Sequence, residues 1–389
     1  MGVIWRIFLV KPTSETFDRE SERGEDMNNL TFMVIGGYLG AGKTTTMIAA
    51  TKELESRGVK AGIIANDLGI KDLVDADYSQ TQGADVTPIT GGCICYQTQT
   101  LVDTLRRLRD VEGKQVVISD IPGCGIGGLD HVYNTLDREY TGEFQLAPFI
   151  AVADPERLRV IMPEQADINL PQEMAYLFDA QLKEADAIVL NKIDLLDDAQ
   201  RAEYIDFLGS RYPGIPVLAI SARTGEGISD FVDFFLSQTS AVEVRDIGYD
   251  GPEHVAAEKK MSWYNRRFFV KGSEPFDGNA FVTAFIEAVR GLLIAAKRNA
   301  PHLKVFAIAS GDEFVKASLI GVDYPIEFDH EAVTPTISMR VIVNVRAACE
   351  SKLLGRIMDQ AVQESCDASG LDYNIFFTEC FGMLDEGLE

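Results

Sequence analysis

The chain has 389 residues, room for two or three domains at roughly 150 residues each, and its 46% hydrophobic and 25% charged composition excludes disorder throughout. Lys and Arg number 36 against 60 Asp and Glu, a net charge of −24 that repels phosphate polymers and anionic lipid and argues against nonspecific nucleic-acid or membrane binding. No apolar run is expected to reach the roughly 18 to 20 residues of a membrane helix. The short apolar opening is broken by Arg6 with no cleavage site after it, and six cysteines in this length suit reduced thiols rather than a disulfide framework, so a cytoplasmic chain is expected.

Residues 1–29 form an expected disordered extension: between 11 and 29, six acids and three bases leave little to bury, and Met27 offers an alternative start. From Leu30, β-rich runs alternate with helical stretches: LTFMVI then 43–57, AGIIAND then 95–110, QVVIS then 126–140. APFIAVA then 172–185, DAIVLN then 198–209 and IPVLAI then 227–238 continue the pattern. It predicts an α/β unit over 30–238, with a mostly parallel sheet and helices on both faces. Ligands in that architecture sit at the carboxyl ends of strands. Residues 239–260 lose the periodicity around Gly248, Gly251 and Pro252 and read as a linker. Over 261–389, WYNRRFFVK, a helix at 277–299, LKVFAIAS, EFVKASLIG, SMRVIVNV, a helix at 348–365 and YNIFFTEC give the order β-α-β-β-β-α-β. That order predicts a smaller α+β unit with a mainly antiparallel sheet.

Directly after the first strand, GxxxxGKT runs from Gly37 to Thr44 and opens a helix, the pattern of a phosphate-binding P-loop. Gly37, Gly40 and Gly42, with Ala41 between, let backbone N–H groups turn toward a β-phosphate. Lys43 reaches the β- and γ-oxygens, the Thr44 hydroxyl is placed for Mg²⁺, and Thr45 continues the helix start. Asn191, Lys192 and Asp194 spell NKxD after one predicted strand, and Ser221 and Ala222 follow another. In P-loop GTPases such an Asp accepts the guanine N1 and N2 hydrogens and the SA backbone meets O6, so adenine would leave Asp194 unpaired. Asp120 and Gly123, in SDIPG, have the form DxxG: an acid for the Mg²⁺ shell and a glycine N–H for the γ-phosphate, with an ordinary Asp-Pro-Gly turn as the alternative. Cys93 and Cys95 are one residue apart in GGCICY, where extended backbone aims both thiols one way. The pair is either incidental or shared by a soft metal such as Zn²⁺.

Taken together, GGYLGAGKTT, ANDLG at 65–69, GGCICY at 91–96, NKID and the trailing α+β unit resemble the CobW-type GTPases, relatives of the hydrogenase and urease nickel-insertion GTPases. The resemblance spans roughly 30–385 and is firmer before the linker. It implies GTP and Mg²⁺ as ligands, Zn²⁺ or Co²⁺ as a transition metal, and hydrolysis coupled to metal delivery or to upkeep of a cobalamin-dependent client. Cys93 and Cys95 match the first two thiols of the family's CxCC, while Tyr96 stands at the third and Asp120 where the family usually has Glu. Cys124, next to the DxxG segment, is the candidate replacement, and Asp67, matching the acid of the family's NEFG-like segment, faces either Mg²⁺ or the thiol metal. His131 reads as a surface or packing histidine. Cys349, Cys366 and Cys380 read as buried, and Arg266-Arg267 and Lys297-Arg298 as solvated faces.

Three function classes compete. The first is a slow GTPase switch, with Lys43, Asp120 and Gly123 as its catalytic groups and a metalloenzyme or corrinoid protein as client. The second is a P-loop kinase or ATP-dependent ligase, which NKID disfavours. The third is a module that holds nucleotide without turnover. A nucleotide-dependent homodimer is a family-level expectation; nucleic acid and membrane are not expected partners.

Overall fold

A computed structural model describes residues 30–69, 74–123, 125–162, 172–309 and 313–382. The expected extension at 1–29, including Met27, and Cys124 lie outside the described residues. The first unit runs β1 (Leu30–Gly36), α1 (Lys43–Ser56), β2 (Ala61–Asn66), α2 (Val74–Thr81), β3 (Val86–Ile89), α3 (Thr98–Asp110), β4 (Val116–Asp120), α4 (Thr135–Glu139), β5 (Phe144–Leu146) and β6 (Ile150–Ala153). It continues through α5 (Pro155–Leu158), α6 (Gln172–Glu184), β7 (Ala187–Leu190), α7 (Asp198–Arg211), β8 (Val217–Ala219) and α8 (Ile228–Ser237). Its eight strands pair in parallel in the order β3-β2-β4-β1-β6-β7-β8, with β5 also on β1. β1, β2, β4, β6 and β7 are buried along their whole length, as strands covered on both faces must be, which is why they read as continuous apolar runs.

All six expected strand-helix pairs are present. The structure adds α2, β3, β5 and α5, whose patterns are short or polar; β3 contains Pro88 and lies at the sheet edge, where a missing N–H is tolerated. Within 239–260 the structure has one short helix, α9 (Pro252–Glu258), with proline in its first turn.

The second unit follows as β9 (Ser262–Phe276), α10 (Gly278–Ala295), β10 (His302–Ile308), β11 (Phe314–Leu319), β12 (Glu327–His330), β13 (Thr336–Ala347), α11 (Ser351–Ser369) and β14 (Leu371–Gly382). Its six strands are antiparallel in the order β12-β11-β10-β13-β9-β14. The expected α/β plus α+β class is therefore what the chain adopts, with one strand more than expected: β12 is only four residues and carries three polar side chains.

Strand alternation divides this sheet into two jobs. Val341, Val343 and Val345 of β13, with Leu303, Val305 and Ala307 of β10, join Phe281, Phe285 and Val289 of α10 and Leu354 and Met358 of α11 in one core. Ile342, Asn344 and Arg346, with Lys304 and Phe306, point the other way, onto the first unit. Phe306 and Ile342 bury Val74 of α2, Asn344 Oδ1 accepts from Val74 N at 2.7 Å, and Lys304 Nζ pairs with Asp75 at 2.6 Å.

Three readings of the sequence need correction. α10 is 18 residues and apolar enough to cross a membrane by length and composition, against the expectation that no run would be. Its apolar residues surround the helix because one face fills the core and small residues occupy much of the rest. Arg266 is buried, not solvated: its guanidinium donates to Thr378 Oγ1 and pairs with Asp359. Cys349 and Cys366 are buried as expected, but Cys380 is half-buried, because β14 is an edge strand.

Arg157 of α5 fastens the two units. It is 1% exposed and donates to Leu39 O in the loop after β1 (3.0 Å) and, from the second unit, to Pro301 O (2.8 Å) and Ile320 O. Arg157→Leu leaves three buried carbonyls without their donor, at about 1–3 kcal/mol each. A drop of about 3 kcal/mol or more in stability is the expected result, measured as a lower urea midpoint.

Candidate nucleotide site and thiol pair

The carboxyl ends of β1, β4 and β7 and the loop after β8 converge on one cavity of about 190 Å³. Lys43, Thr44, Thr45, Asp120, Gly123, Asn191, Lys192, Asp194 and Ala222 all line it, so the structure gathers residues that were far apart in the sequence. The far wall comes from the second sheet: Trp263, His302, Lys304, Lys316 and Arg346. Sequence reasoning missed this wall.

The loop between β1 and α1 is shaped by residues that only glycine can replace. Gly42 caps α1 at φ 97°, and a Cβ there would sit 2.3 Å from Asn191 Nδ2. Lys43 Nζ donates to Gly37 O at 2.7 Å, inside its own loop. Gly123 comes so close to that ammonium that a Cβ would lie 2.9 Å from Lys43 Nζ and 2.6 Å from Leu39 Cδ2. An approaching anion would find the Lys43 ammonium and the Gly123 backbone side by side.

Asn191 is a strap between loops. Its Nδ2 donates to Ala41 O at 3.0 Å and its Oδ1 accepts from Ala222 N at 3.0 Å, while it is itself 3% exposed. Lys192 takes φ 62°, a left-handed turn that starts the helical turn Ile193–Leu195. Asp194 Oδ1 accepts from Ser221 Oγ at 2.7 Å, which fixes the carboxylate at the cavity wall.

Asp120 ends β4 and is buried. Removal from water pushes its carboxyl up to about 7, against the Asn66 N–H that donates to Oδ1 at 2.9 Å and the Lys43 charge, both of which favour ionisation. The carboxyl is thus poised to exchange its proton for a cation. Thr44 and Asp120 offer a hydroxyl and a carboxylate to the same cavity, the hard oxygen donors that suit Mg²⁺.

Cys93 caps the helical turn Ile94–Tyr96 and Cys95 lies within it. Both are buried and their sulfurs are 2.8 Å apart, so the thiols meet, brought together by a helical turn and not by the expected extended backbone. The hydrogen bond between them holds the Cys93 thiol below its usual range, while the same bond and burial push Cys95 well above it. Of the other expected ligands, Cys124 lies outside the described residues, and Asp67 lines the nucleotide cavity with Thr44 and Asp120, its two oxygens taking Arg346 Nη2 at 2.8 and 2.9 Å; among the described residues no group of three or more His, Cys, Asp or Glu side chains could hold a metal. The reason is electrostatic: a guanidinium buried at 3% exposure must find a carboxylate, and Asp67 is in reach. Tyr96, at the third thiol position, is 72% exposed and pairs its hydroxyl with Tyr249. His131 packs as expected, between the rings of Tyr96 (5.9 Å) and Tyr249 (4.5 Å).

Two further residues went unnoticed in the sequence. Gln181 Nε2 of α6 donates to Gly123 O (3.0 Å) and Gly125 O (2.9 Å). One turn on, Glu184 Oε2 accepts from Gly127 N (2.9 Å), with burial pushing its carboxyl up to about 8. Together they hold the loop that follows Asp120.

A family model described as the CobW/HypB/UreG nucleotide-binding domain matches residues 31–213. The zinc chaperone CobW of a Sinorhizobium species is 28% identical over 298 residues, covering 72% of this chain and 81% of that protein. Among solved structures, Helicobacter pylori HypB in complex with nickel is 18% identical, with 55% of this chain and 91% of that one aligned at a TM-score of 0.39. The Zn(II)-bound YjiA GTPase of E. coli is 16% identical, with 87% and 99% aligned at 0.34. Residues 31–213, the nucleotide-binding unit of this chain, thus match the CobW/HypB/UreG nucleotide-binding domain that its motifs resemble.

Proposed function

We propose that the chain binds GTP with Mg²⁺ and hydrolyses it slowly to gate handover of a transition metal, carried at the Cys93–Cys95 pair, to a metalloenzyme or corrinoid-protein client. The observation that carries this reading is that Lys43, Thr44, Asp120 and Asp194 share one cavity while the thiol pair lies on a loop bonded to the same strand end as Asp120. Zinc, as named in the curated relative, is the first metal to try.

Each residue has a defined task. Lys43 exchanges Gly37 O for the β- and γ-oxygens, and the Gly123 N–H meets the γ-phosphate. Asp194 accepts the guanine N1 and N2 hydrogens, held in place by Ser221, and the Ala222 region closes on O6. Thr44 and Asp120 would hold Mg²⁺, which would supply charge neutralisation for the β- and γ-oxygens. Water attacks the γ-phosphorus, the bond to the β–γ bridging oxygen breaks, and GDP and phosphate leave. No arginine finger is assigned, so turnover on the order of 10⁻⁴–10⁻² s⁻¹ is expected without a partner. Two thiols make half of a metal site; Cys124, which follows Gly123 in the sequence, is the proposed third ligand, and the client completes the set.

The deciding experiment is calorimetry of GTP and ATP with Mg²⁺, followed by zinc titration with and without a nonhydrolysable GTP analogue. Tighter ATP than GTP binding, or zinc uptake indifferent to Cys93→Ser, would overturn the reading. Asp194→Asn replaces an acceptor by a donor, and the expected outcome is a GTP affinity lower by about 100-fold or more with the fold intact by circular dichroism.

The Asp120 carboxyl gives a pH signature. Because its folded value lies above that of an unfolded carboxyl, its stabilising contribution is complete below about pH 4 and is lost as pH rises through about 7. Mg²⁺-nucleotide binding should release about one proton from it at pH 6 and almost none at pH 8.5. Calorimetry in buffers of different ionisation enthalpy measures this, and Asp120→Asn should abolish the difference.

A further inference from the structure

We infer that Arg346, on the wall contributed by the second sheet, recognises the γ-phosphate of bound GTP, and that Asp67 occupies its guanidinium until the triphosphate arrives, a role that rests on the function proposed above. The order of the first sheet separates the two ends of a nucleotide. β1, which leads into the phosphate loop, lies between β4 and β6; Asp194 follows β7 on one side, while Asp120 ends β4 and Asp67 follows β2 on the other. A guanine held at Asp194 therefore sends its phosphates across the loop toward the ends of β4 and β2, with the γ-phosphate farthest along. The Asn66 N–H on Asp120 Oδ1, at 2.9 Å, joins those two strand ends, and Asp67 is the next residue. Arg346 Nη2 donates to both Asp67 oxygens, at 2.8 and 2.9 Å. The guanidinium thus stands at the γ end of the cavity, which Arg346 and Asp67 line together with Lys43, Asp120 and Gly123. His302 marks the same gathering of cations: removal from water, then the charges of Lys304, Arg346 and Lys43, hold its imidazole well below its usual range.

The ion pair has the build of an occupied anion site. Its guanidinium is the buried member, with 4% of its side chain exposed against 26% for Asp67, so the carboxylate is the member that solvent reaches. Nη1 is anchored elsewhere, on Asn265 Oδ1 and Val345 O at 3.0 Å each. The group is therefore fixed at one nitrogen and presents the other to an exchangeable anion. A γ-phosphate oxygen can replace an Asp67 oxygen at Nη2 without leaving the buried cation unpaired, which is the condition a buried guanidinium imposes. Its planar fork of N–H donors suits phosphate as it suits carboxylate. The lysines of this wall are placed less well, Lys304 being paired with Asp75 of α2 and Lys316 with Asp329 of its own sheet. GDP brings no phosphate to this position, so Arg346 separates GTP from GDP. A contact made equally in the ground and transition states raises affinity without raising kcat, and slow unassisted turnover stands.

The test is calorimetry of GDP and of a nonhydrolysable GTP analogue, each with Mg²⁺, on the full chain. Arg346→Gln should weaken the analogue by about 10-fold or more, the worth of a charge-assisted hydrogen bond, and leave GDP within about 2-fold. Arg346→Lys keeps the charge and loses the fork, and an intermediate loss is expected. An analogue-to-GDP affinity ratio in Arg346→Gln equal to that of the unaltered chain would overturn the role of Arg346 and leave the proposed function standing; no analogue binding by the unaltered chain would overturn both. Should Arg346→Gln fail to fold, Asp67→Asn decides, measured in EDTA so that Mg²⁺ plays no part. Removing the competing carboxylate should tighten the analogue by about 3-fold or more with GDP within about 2-fold, and an unchanged ratio would overturn the exchange.

Discussion

One amide holds the nucleotide unit together where it matters. Asn191 spans from Ala41 O to Ala222 N, so the phosphate loop, the strand end that carries Asp194 and the loop after β8 are a single body. The close approach of Gly42 follows from it, since the strap leaves no space for a side chain there. A site that must read a ring at one end and phosphates at the other needs those ends at a fixed distance, and a doubly used side chain supplies it with little loss of rotamer freedom. Ser221 serves the same body, fixing one oxygen of Asp194.

The second sheet matters to this cavity more than its position in the chain suggests. Its period-two alternation gives one face to α10 and α11 and the other to the first unit, so the same strands build a core and a wall. The cations on that wall arrive with partners: Arg346 with Asp67, Lys304 with Asp75, Lys316 with Asp329. Buried charges demand such pairing, and it explains why a chain with a net charge of −24 can turn three cations of its second sheet inward without disrupting the fold. His302 lies half-buried beside this wall, where removal from water and the charges of Lys304, Arg346 and Lys43 hold its imidazole well below its usual range.

The sequence was most legible where function and backbone coincide. The phosphate loop, NKID, the Asp120 turn and the alternation of strands and helices are local strings, and each lies where its spacing implied. What could not be read locally were contacts between distant positions. Arg346 and Asp67 are 279 residues apart, and Arg157 and Ile320 are 163 apart; nothing in either string names the partner. Asn66 was in view within ANDLG, but an Asn at a strand end reads as a loop residue until its four bonds are seen. The misreading of Arg266 has the same origin: an Arg-Arg pair on a strand puts one side chain on each face, and only the partner strands decide which is wet.

Arg157 carries a consequence for how this molecule can be taken apart. Its guanidinium finishes the hydrogen bonding of a carbonyl in the phosphate loop and of two carbonyls beyond residue 300. A fragment severed near residue 240 would keep every glycine of that loop yet leave a cation dangling beside it and the cavity without a roof. The seam between the sheets is a joint of construction, and a shortened chain would be a poor stand-in for the intact one.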